Sequence, residues 1–145
     1  MPLHPEWKDT DLAYMAGLID GEGTIFIYID NRGREHRILN IGNTNRELLE
    51  WVESVFGGRV CRGSIPKKDN WAQGYLWQCG PLVADNILRA CFKYLKIKQK
   101  QAAILIAYNL LRGKYGNHGI PPEMVEWRTG LMKEIRVLNG RKKTA

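Results

Sequence analysis

Residues 13–24 read AYMAGLIDGEGT, and this stretch decides more about the fold than any other part of the chain. Asp11 is a predicted helix N-cap, and from it Ala13, Gly17 and Gly21 recur every four residues, which places three very small side chains on one helical stripe. Such a stripe lets a second backbone approach closely. We expect the helix to end at residues 21–23, because glycines in succession favour a left-handed C-terminal stop.

Two carboxylates, Asp20 and Glu22, fall at the predicted end of this helix. The helix macrodipole already places partial negative charge there, so both acids oppose the local field. A bound cation would resolve that conflict. Acids are also common near helix ends, so the stripe and the two acids alone support a metal site and an ordinary helix terminus about equally.

The string MAGLIDGEG, residues 15–23, resembles the nine-residue signature of the LAGLIDADG homing endonucleases. Six positions match the signature outright: Ala16, Gly17, Leu18, Ile19, Asp20 and Gly23. The other three carry conservative replacements: Met15, Gly21 and Glu22. The resemblance covers residues 11–112 and is much more specific than a lone pair of glycines.

The charge balance of the chain favours a nucleic-acid partner. The 145 residues include 22 Lys and Arg against 15 Asp and Glu, a net charge of +7, which is the electrostatic pattern of proteins that neutralise phosphates. This length suits one domain with a full core.

The cysteines, the histidines and the apolar runs argue against a disulfide-bonded, zinc-binding or membrane-spanning protein. Cys61, Cys79 and Cys91 lack CxxC spacing and the three histidines stand far apart, so we expect neither a disulfide framework nor a zinc site. The longest apolar run, residues 102–108, is too short to span a bilayer, and the polar start of the chain predicts no secretory leader. We expect an intracellular protein with no membrane partner, in the cytoplasm of a prokaryote or the matrix or stroma of an organelle.

Two strands are predicted directly after the motif helix. Residues 24–30 alternate, with Ile25, Ile27 and Ile29 on one face. A turn at residues 31–34 leads into a second strand over about residues 35–43, in which Leu39 and Ile41 face inward. The opposite face of this hairpin is rich in hydrogen-bonding groups.

The pattern then repeats with a helix and two more strands. Residues 44–47 have the form of a capping box, with Thr44 and Glu47 at its ends, and start a helix that stops at Gly57 and Gly58. Strands are predicted at residues 59–65 and 75–79, and Pro81 fits the start of the next helix. The order α-β-β-α-β-β-α indicates an α+β fold.

The last third of the chain is predicted to be helical, at residues 82–94, 98–112 and 123–138. We expect residues 1–112 to form the endonuclease-like core and residues 113–145 a helical extension of the same domain. An apolar stripe favours core packing over DNA contact for the final helix, although both roles stay open; it consists of Met124, Trp127, Leu131 and Ile135.

The resemblance implies the rest of the architecture. LAGLIDADG domains have this element order and place a curved four-stranded antiparallel sheet in the DNA major groove. No second small-residue helix ending in an acid occurs in this chain, and single-motif members of the family are homodimers whose motif helices pack together. The implied dimer interface consists of Ala13, Ala16, Gly17 and Gly21.

The resemblance also implies a magnesium site. Phosphodiester cleavage needs an activated water and stabilised charge on the phosphate, which divalent ions supply. Glu22 from each subunit and the backbone carbonyl of Gly21 are the implied ligands, for two or three Mg²⁺ ions shared across the dimer. Asp20 is expected in a supporting role in preference to direct coordination.

A second segment bears on catalysis. Residues 95–101, LKIKQKQ, form a basic helix start, which is usually a solvated surface. They also resemble the LKxKQKQA segment of single-motif family members, where one lysine points into the active site, and that match assigns the role to Lys98. The resemblance implies a water-positioning amide at Asn45, or as second choice Asn43, while helix capping by Asn45 is equally well supported.

The outward side chains of the sheet are expected to contact DNA, with arginine and amide side chains reading bases and Lys67 and Lys68 binding phosphates. A slip of one residue in strand parity would exchange every inward and outward position. The full expected set is Thr24, Phe26, Tyr28, Asp30, Arg32, Arg34, His36, Ile38, Asn40, Arg59, Cys61, Lys67, Lys68, Gln73, Tyr75 and Trp77.

The resemblance therefore implies a site-specific DNA endonuclease that makes a double-strand break in a long, roughly palindromic target and mobilises an intron or intein. Two alternatives remain: an RNA maturase that uses the same fold to assist splicing, and a DNA-binding protein that has lost cleavage. The presence of both Glu22 and Lys98 favours the nuclease.

Overall fold

A computed structural model describes residues 6–115 and 120–140 of the chain. The first half contains helix α1 (Asp9–Glu22), strands β1 (Gly23–Ile29) and β2 (Glu35–Asn43), and helix α2 (Arg46–Phe56). The second half contains strands β3 (Arg59–Arg62) and β4 (Tyr75–Gln78), then helices α3 (Pro81–Cys91), α4 (Gln99–Tyr115) and α5 (Pro122–Leu138), with a 3₁₀ turn at Phe92–Tyr94. The predicted α+β order is confirmed.

The four strands form one antiparallel sheet in the order β1-β2-β4-β3. Ile25 pairs with Leu39 across the first hairpin, and Thr24 pairs with Asn40. Ile25 and Leu39 are fully buried under the helices, whereas Thr24 and Asn40 are partly exposed on the other face. The predicted parity of the first two strands is therefore confirmed.

The helices cover the inward face of the sheet and form one hydrophobic core with it. Met15 and Ile19 of α1 are fully buried, as are Leu49 of α2 and Ile87 of α3. At about 25 cal/mol per Å² of apolar area, burial of this many side chains is the main favourable contribution to folding. The sheet's other face carries no helix in the part of the chain described.

Several predicted element ends are corrected. Lys8, not Asp11, is the N-cap of α1, so Asp11 lies in the first turn. Gly23 after α1 has extended geometry, φ −83° and ψ 157°, because the chain passes directly into β1 without a left-handed stop.

The N-cap of α2 is Asn45, not Thr44: its side chain accepts a hydrogen bond from the Leu48 backbone N–H. The predicted stop at Gly57 and Gly58 is confirmed by their positive φ angles of 85° and 83°.

The other boundary differences are small. β3 ends at Arg62 and α3 at Cys91, each three residues earlier than predicted, and β4 ends at Gln78, one residue earlier. Helix α5 packs on α4 and β1, with Ile135 fully buried and Trp127 stacked on Tyr108 at 6.4 Å between ring centroids. Core packing is therefore what the structure supports for the last helix.

All three cysteines carry free thiols. Burial raises the pKa of Cys79 and of Cys91 to about 12. None of the helices in the described part of the chain is long and apolar enough to cross a bilayer.

Candidate active site and nucleic-acid interface

The two acids at the end of α1, Asp20 and Glu22, contact different parts of the chain. Gly23 must lack a side chain, because a Cβ there would lie 2.7 Å from the backbone oxygen of Ile19. This close passage lets β1 begin at once after α1, so that Glu22 stands at the junction of helix and sheet. Asp20, two residues earlier, turns toward a different segment of the chain.

Glu22 is exposed at the helix end and accepts a hydrogen bond from the side-chain amide of Asn43, the last residue of β2. The amide fixes the direction of the carboxylate without neutralising its charge. Asn43 also accepts a hydrogen bond from the Asn45 backbone N–H at 2.7 Å through its own side-chain oxygen. The amide beside the acid is therefore Asn43, the second choice in the sequence analysis, whereas Asn45 is occupied as the helix cap.

Asp20 holds the segment that precedes α4. Its carboxylate accepts hydrogen bonds from three successive backbone N–H groups, those of Lys96 at 2.7 Å, Ile97 at 3.1 Å and Lys98 at 3.0 Å. These donors lie just before the N-terminus of α4, where a negative charge is favoured. Asp20 therefore fastens the Lys98 segment to the motif helix.

Lys98 reaches the C-terminal end of α1. Its ammonium donates to the backbone oxygen of Ile19 at 3.0 Å and to that of Gly23. Burial lowers the pKa of Lys98, while the nearby negative charge of Asp20 opposes that shift. A cation thus already lies at the helix end where the sequence showed an electrostatic conflict. Glu22 and Lys98, which are 76 positions apart in the sequence, both lie at the C-terminal end of α1.

The small-residue stripe of α1 faces outward. Ala13, Gly17 and Gly21 are exposed, and a Cβ placed on Gly17 or Gly21 would meet nothing within 4 Å. Nothing within the described chain therefore requires these two glycines. Ala16, expected in the same dimer interface, is instead fully buried in the core of its own chain.

Exposed apolar side chains flank the stripe. Tyr14 on α1 stacks edge-on against Trp51 of α2 at 5.3 Å, and Ile97 lies beside α1 because Asp20 holds its backbone N–H. Tyr14 and Ile97 are both exposed. Ile97 was not predicted as an interface residue. The sequence feature that could have indicated it is an isoleucine between two lysines in the basic segment 95–101.

The outward face of the sheet carries most of the predicted DNA contacts from the first hairpin. The outward pairs are Thr24 with Asn40, Phe26 with Ile38, and Tyr28 with His36. Tyr28 stacks on His36 at 4.6 Å and on Phe26 at 5.8 Å. Phe26, although on this face, is buried, so it supports its neighbours more than it can contact a ligand.

The prediction for β4 was wrong by one residue. Trp77 pairs with inward Ile41 and is fully buried, with its ring N–H donating to the Gly57 oxygen at 2.8 Å. Tyr75 pairs with Asn43 and lies under the guanidinium of Arg46, on the helix side. The outward side chains of β4 are Leu76 and Gln78, opposite Gly42 and Asn40, and the sequence analysis missed both. On β3, Arg59 and Cys61 are outward as predicted, because they pair with Gln78 and Leu76.

Asp30 organises the turn of the first hairpin. Its carboxylate accepts from the backbone N–H groups of Arg32 and Arg34 and from the Arg34 guanidinium, each at 2.9 Å, and lies 2.9 Å from the His36 ring. The His36 contact, followed by these backbone and side-chain bonds, lowers the pKa of Asp30 to about 2. Asp30, Arg34 and His36 thus form a preordered unit, while Arg32 is exposed beside it.

The residues between β3 and β4 contain the remaining predicted contacts. Lys67 and Lys68 are exposed, as a phosphate contact requires. Gln73 is not an outward base reader: its amide donates to three backbone oxygens, those of Gly63, Ser64 and Gly74. It closes the base of the loop.

The donor set fits a hydrated Mg²⁺ ion. Within the described residues no three His, Cys, Asp or Glu side chains lie together as a metal site. Asp20 is occupied by backbone N–H groups, so the exposed carboxylate that one chain offers at the end of α1 is Glu22, and two chains would offer a pair. Mg²⁺ keeps several waters and is commonly held by one or two carboxylates, so oxygen donors in this number suit it.

Three solved homing endonucleases illustrate what the chain is similar to in structure. The archaeal intron-encoded I-Vdi141I, complexed with DNA, has a TM-score of 0.71 and 19% identity, over 94% of this chain and 87% of that chain. I-CvuI, in a DNA complex with Mg, has a TM-score of 0.69 and 18% identity, over 94% and 86%. The LAGLIDADG homing endonuclease I-SmaMI, bound to cleaved DNA, has a TM-score of 0.68 and 17% identity, over 96% of this chain and 48% of that chain.

No protein-family profile matches the sequence, and no curated protein matches it. The likeness in three dimensions nevertheless extends over nearly the whole chain. The chain has the LAGLIDADG homing endonuclease fold, and the fold expected from the motif is confirmed.

Proposed function

We propose that the protein is a homodimeric, site-specific DNA endonuclease that cleaves both strands of its target by Mg²⁺-dependent hydrolysis. The observation that carries the proposal is the convergence of Glu22, Asn43 and Lys98 at the end of a helix whose exposed stripe has almost no side chains. A second chain can pack closely against this helix face. The carboxylate and the cation beside it would then form, together with those of the second chain, one site for phosphate chemistry.

The assembly follows from the exposed stripe. Two α1 helices can approach closely at Gly17 and Gly21, and a two-fold axis there brings the two Glu22 carboxylates near each other. Tyr14 and Ile97 supply apolar area around the contact. The lengths of the similar proteins also support a pair of chains. This chain spans 87% of I-Vdi141I but only 48% of I-SmaMI, so two copies of it would match the length of one I-SmaMI chain.

The DNA partner is supported by charge and shape. The chain carries a net charge of +7, and the outward sheet face presents hydrogen-bonding groups from Thr24, Asn40 and Gln78. The similar proteins I-Vdi141I and I-CvuI were both solved with DNA. A two-fold dimer reads a roughly palindromic target, because the symmetry of the protein is mirrored in its site.

Each residue of the site has a distinct task in this mechanism. Glu22 and the carbonyl oxygen of Gly21 would hold Mg²⁺, which when bound supplies charge stabilisation and an acidified water. Asn43 orients the Glu22 carboxylate. Lys98 holds a proton at its Nζ and stabilises negative charge developing on the phosphate, and Asp20 keeps the Lys98 backbone in place.

The biological role proposed is mobilisation of an intron or intein that encodes the protein. Support comes from I-Vdi141I, which is described as intron-encoded. A double-strand break at an unoccupied site is what such mobility requires.

A two-step experiment tests the function. Duplexes bound by the protein in EDTA are selected from a randomised library, and the recovered duplex is placed in a plasmid and incubated with Mg²⁺ or EDTA. The proposal expects selection of a roughly palindromic site and a double-strand break in Mg²⁺ alone. Tighter binding to a structured RNA, with no cleavage of any selected duplex, would overturn it.

A further inference from the structure

The loop between β3 and β4 leaves the sheet at the same end as the candidate active site. Asn43, which contacts Glu22, pairs with Tyr75 of β4, and Tyr75 pairs with Arg62 of β3. Residues 63–74, here called the Trp71 loop, join Arg62 to Tyr75. Neighbouring strands lie about 4.8 Å apart, so the base of this loop begins within about 10 Å of Asn43.

The base of the Trp71 loop is held in one conformation. The backbone N–H of Gly63 donates to the Gly74 oxygen at 2.9 Å, and the Gln73 amide donates to the same oxygen at 2.8 Å. Gln73 also donates to Gly63 and Ser64, both at 3.3 Å. A loop closed in this way loses little conformational entropy when it binds a ligand.

The tip of the loop combines exposed apolar and basic groups. Ile65 is 86% exposed and Trp71 is 52% exposed. The Lys68 ammonium lies over the Trp71 ring at 5.3 Å, and Lys67 is exposed beside it. About half of the Trp71 surface is therefore left uncovered in the isolated chain, although burial of such a side chain is favourable.

We infer that the Trp71 loop is an additional DNA contact, in which Trp71 stacks on a nucleotide close to the cleaved phosphates while Lys67 and Lys68 bind the DNA backbone. The inference rests on the proposed function. An aromatic ring with one lysine over its face and a second lysine in the same loop is the combination by which proteins hold nucleotides without reading their sequence. Apolar side chains that enter a base step also help to bend DNA, which the loop could do near the centre of the target.

Photo-crosslinking tests the placement of Trp71. Single 5-iododeoxyuridines are introduced across the duplex selected in EDTA, and crosslinked residues are mapped in the full-length protein. We expect Trp71 to crosslink between or next to the two cleavage positions. A crosslink confined to the outer ends of the duplex would overturn the inference, as would contact of Trp71 with the partner subunit.

Affinity measurements on the same duplex supply the second readout. Trp71→Leu is expected to weaken binding about fivefold or more, the size of one base–aromatic contact, while Trp71→Phe retains most of the affinity. Trp127→Leu is the matched control, since Trp127 is 37% exposed but lies on α5 against Tyr108. Equal affinity of wild type and Trp71→Leu would contradict the inference.

The two proposals fail in different ways. If the wild type selects and cleaves a duplex but Trp71 neither crosslinks nor affects affinity, only the inference about the Trp71 loop falls. If the wild type binds no duplex, the proposed endonuclease function and the inference fall together.

Discussion

Asp20 and Glu22 stand two residues apart, yet the fold gives them separate tasks. Asp20 accepts three backbone N–H groups ahead of α4, so its charge is fully engaged in holding the chain. Glu22 is exposed and receives only the Asn43 amide among its described contacts. The acid with few internal partners is the one available to a metal.

Replacement of Glu22 by glutamine tests this division of roles. Glu22→Gln keeps the size of the side chain but removes its charge, so we expect cleavage to fall about 10²-fold or more, with DNA affinity and melting temperature nearly unchanged. Asp20→Asn is the matched comparison and should lower the melting temperature as well, because a carboxylate that accepts three N–H bonds is lost. Rates are measured on the selected plasmid in Mg²⁺. A Glu22→Gln protein that cleaves at the wild-type rate would remove Glu22 from the metal site.

At the scale of elements, the β1–β2 hairpin depends on Asp30 at its turn. The Asp30 pKa lies at about 2 in the folded protein against 3.8 for an ordinary aspartate. Because the folded-state pKa is lowered, Asp30 stabilises the fold above pH 3.8, and this contribution is lost as the pH falls from 3.8 toward 2.

Urea unfolding at several pH values checks the contribution of Asp30. We expect Asp30→Asn to be less stable than wild type near pH 6, with the difference shrinking as the pH approaches 2. Glu126→Gln, at an exposed position on α5, provides a control for the loss of one negative charge. A difference in stability that stays constant from pH 6 to pH 2 would show that the turn does not depend on the Asp30 charge.

Sequence patterns predicted most elements because alternation and helical periodicity are local signals. Isoleucine recurs at every second residue of β1, Leu39 and Ile41 are spaced alike in β2, and Gly57 with Gly58 marks the end of α2, so these features were predicted correctly. β4 spans only four residues, YLWQ, with Tyr75 and Trp77 on one face and Leu76 and Gln78 on the other, so either face offers apolar side chains to the core. Tertiary packing decided the outcome, because the large Trp77 ring fills the core and donates to Gly57.

The candidate site was harder to assign because its contacts are not local. Nothing in the order of residues shows whether Asn43 or Asn45 faces Glu22; the register of β2 decides it, since Asn45 is used to cap α2. Lys98 was identified from the family resemblance, whereas its bonds to the carbonyl groups of α1 became visible only in the fold. Exposed Trp71 had a weak signal, a tryptophan in a polar loop.

The whole molecule is proposed to work as a pair, and Gly17 is the position that tests the pairing. A Cβ at Gly17 meets nothing within 4 Å in the single chain, so Gly17→Leu is expected to leave the fold intact while separating the two α1 helices of the proposed dimer. Overpacking of a close contact costs about 1–3 kcal/mol, so we expect a shift from dimer to monomer and a loss of double-strand cleavage.

Light scattering and sedimentation measure this shift. Gly130→Leu is the matched control, because Gly130 also lies in a helix with open space around its Cβ position, but on α5. We expect that variant to remain dimeric. A Gly17→Leu protein that stays dimeric and active would place the interface elsewhere.

The most direct test of the account is the mass of the active species together with the strands it cuts. Wild-type protein is sized on its selected duplex in EDTA, Mg²⁺ is added, and the ends on both strands are mapped. The account predicts two protein chains per duplex and two cuts related by the two-fold axis of the site, with no cut by Glu22→Gln. One chain per duplex, or cleavage that persists in EDTA, would contradict it.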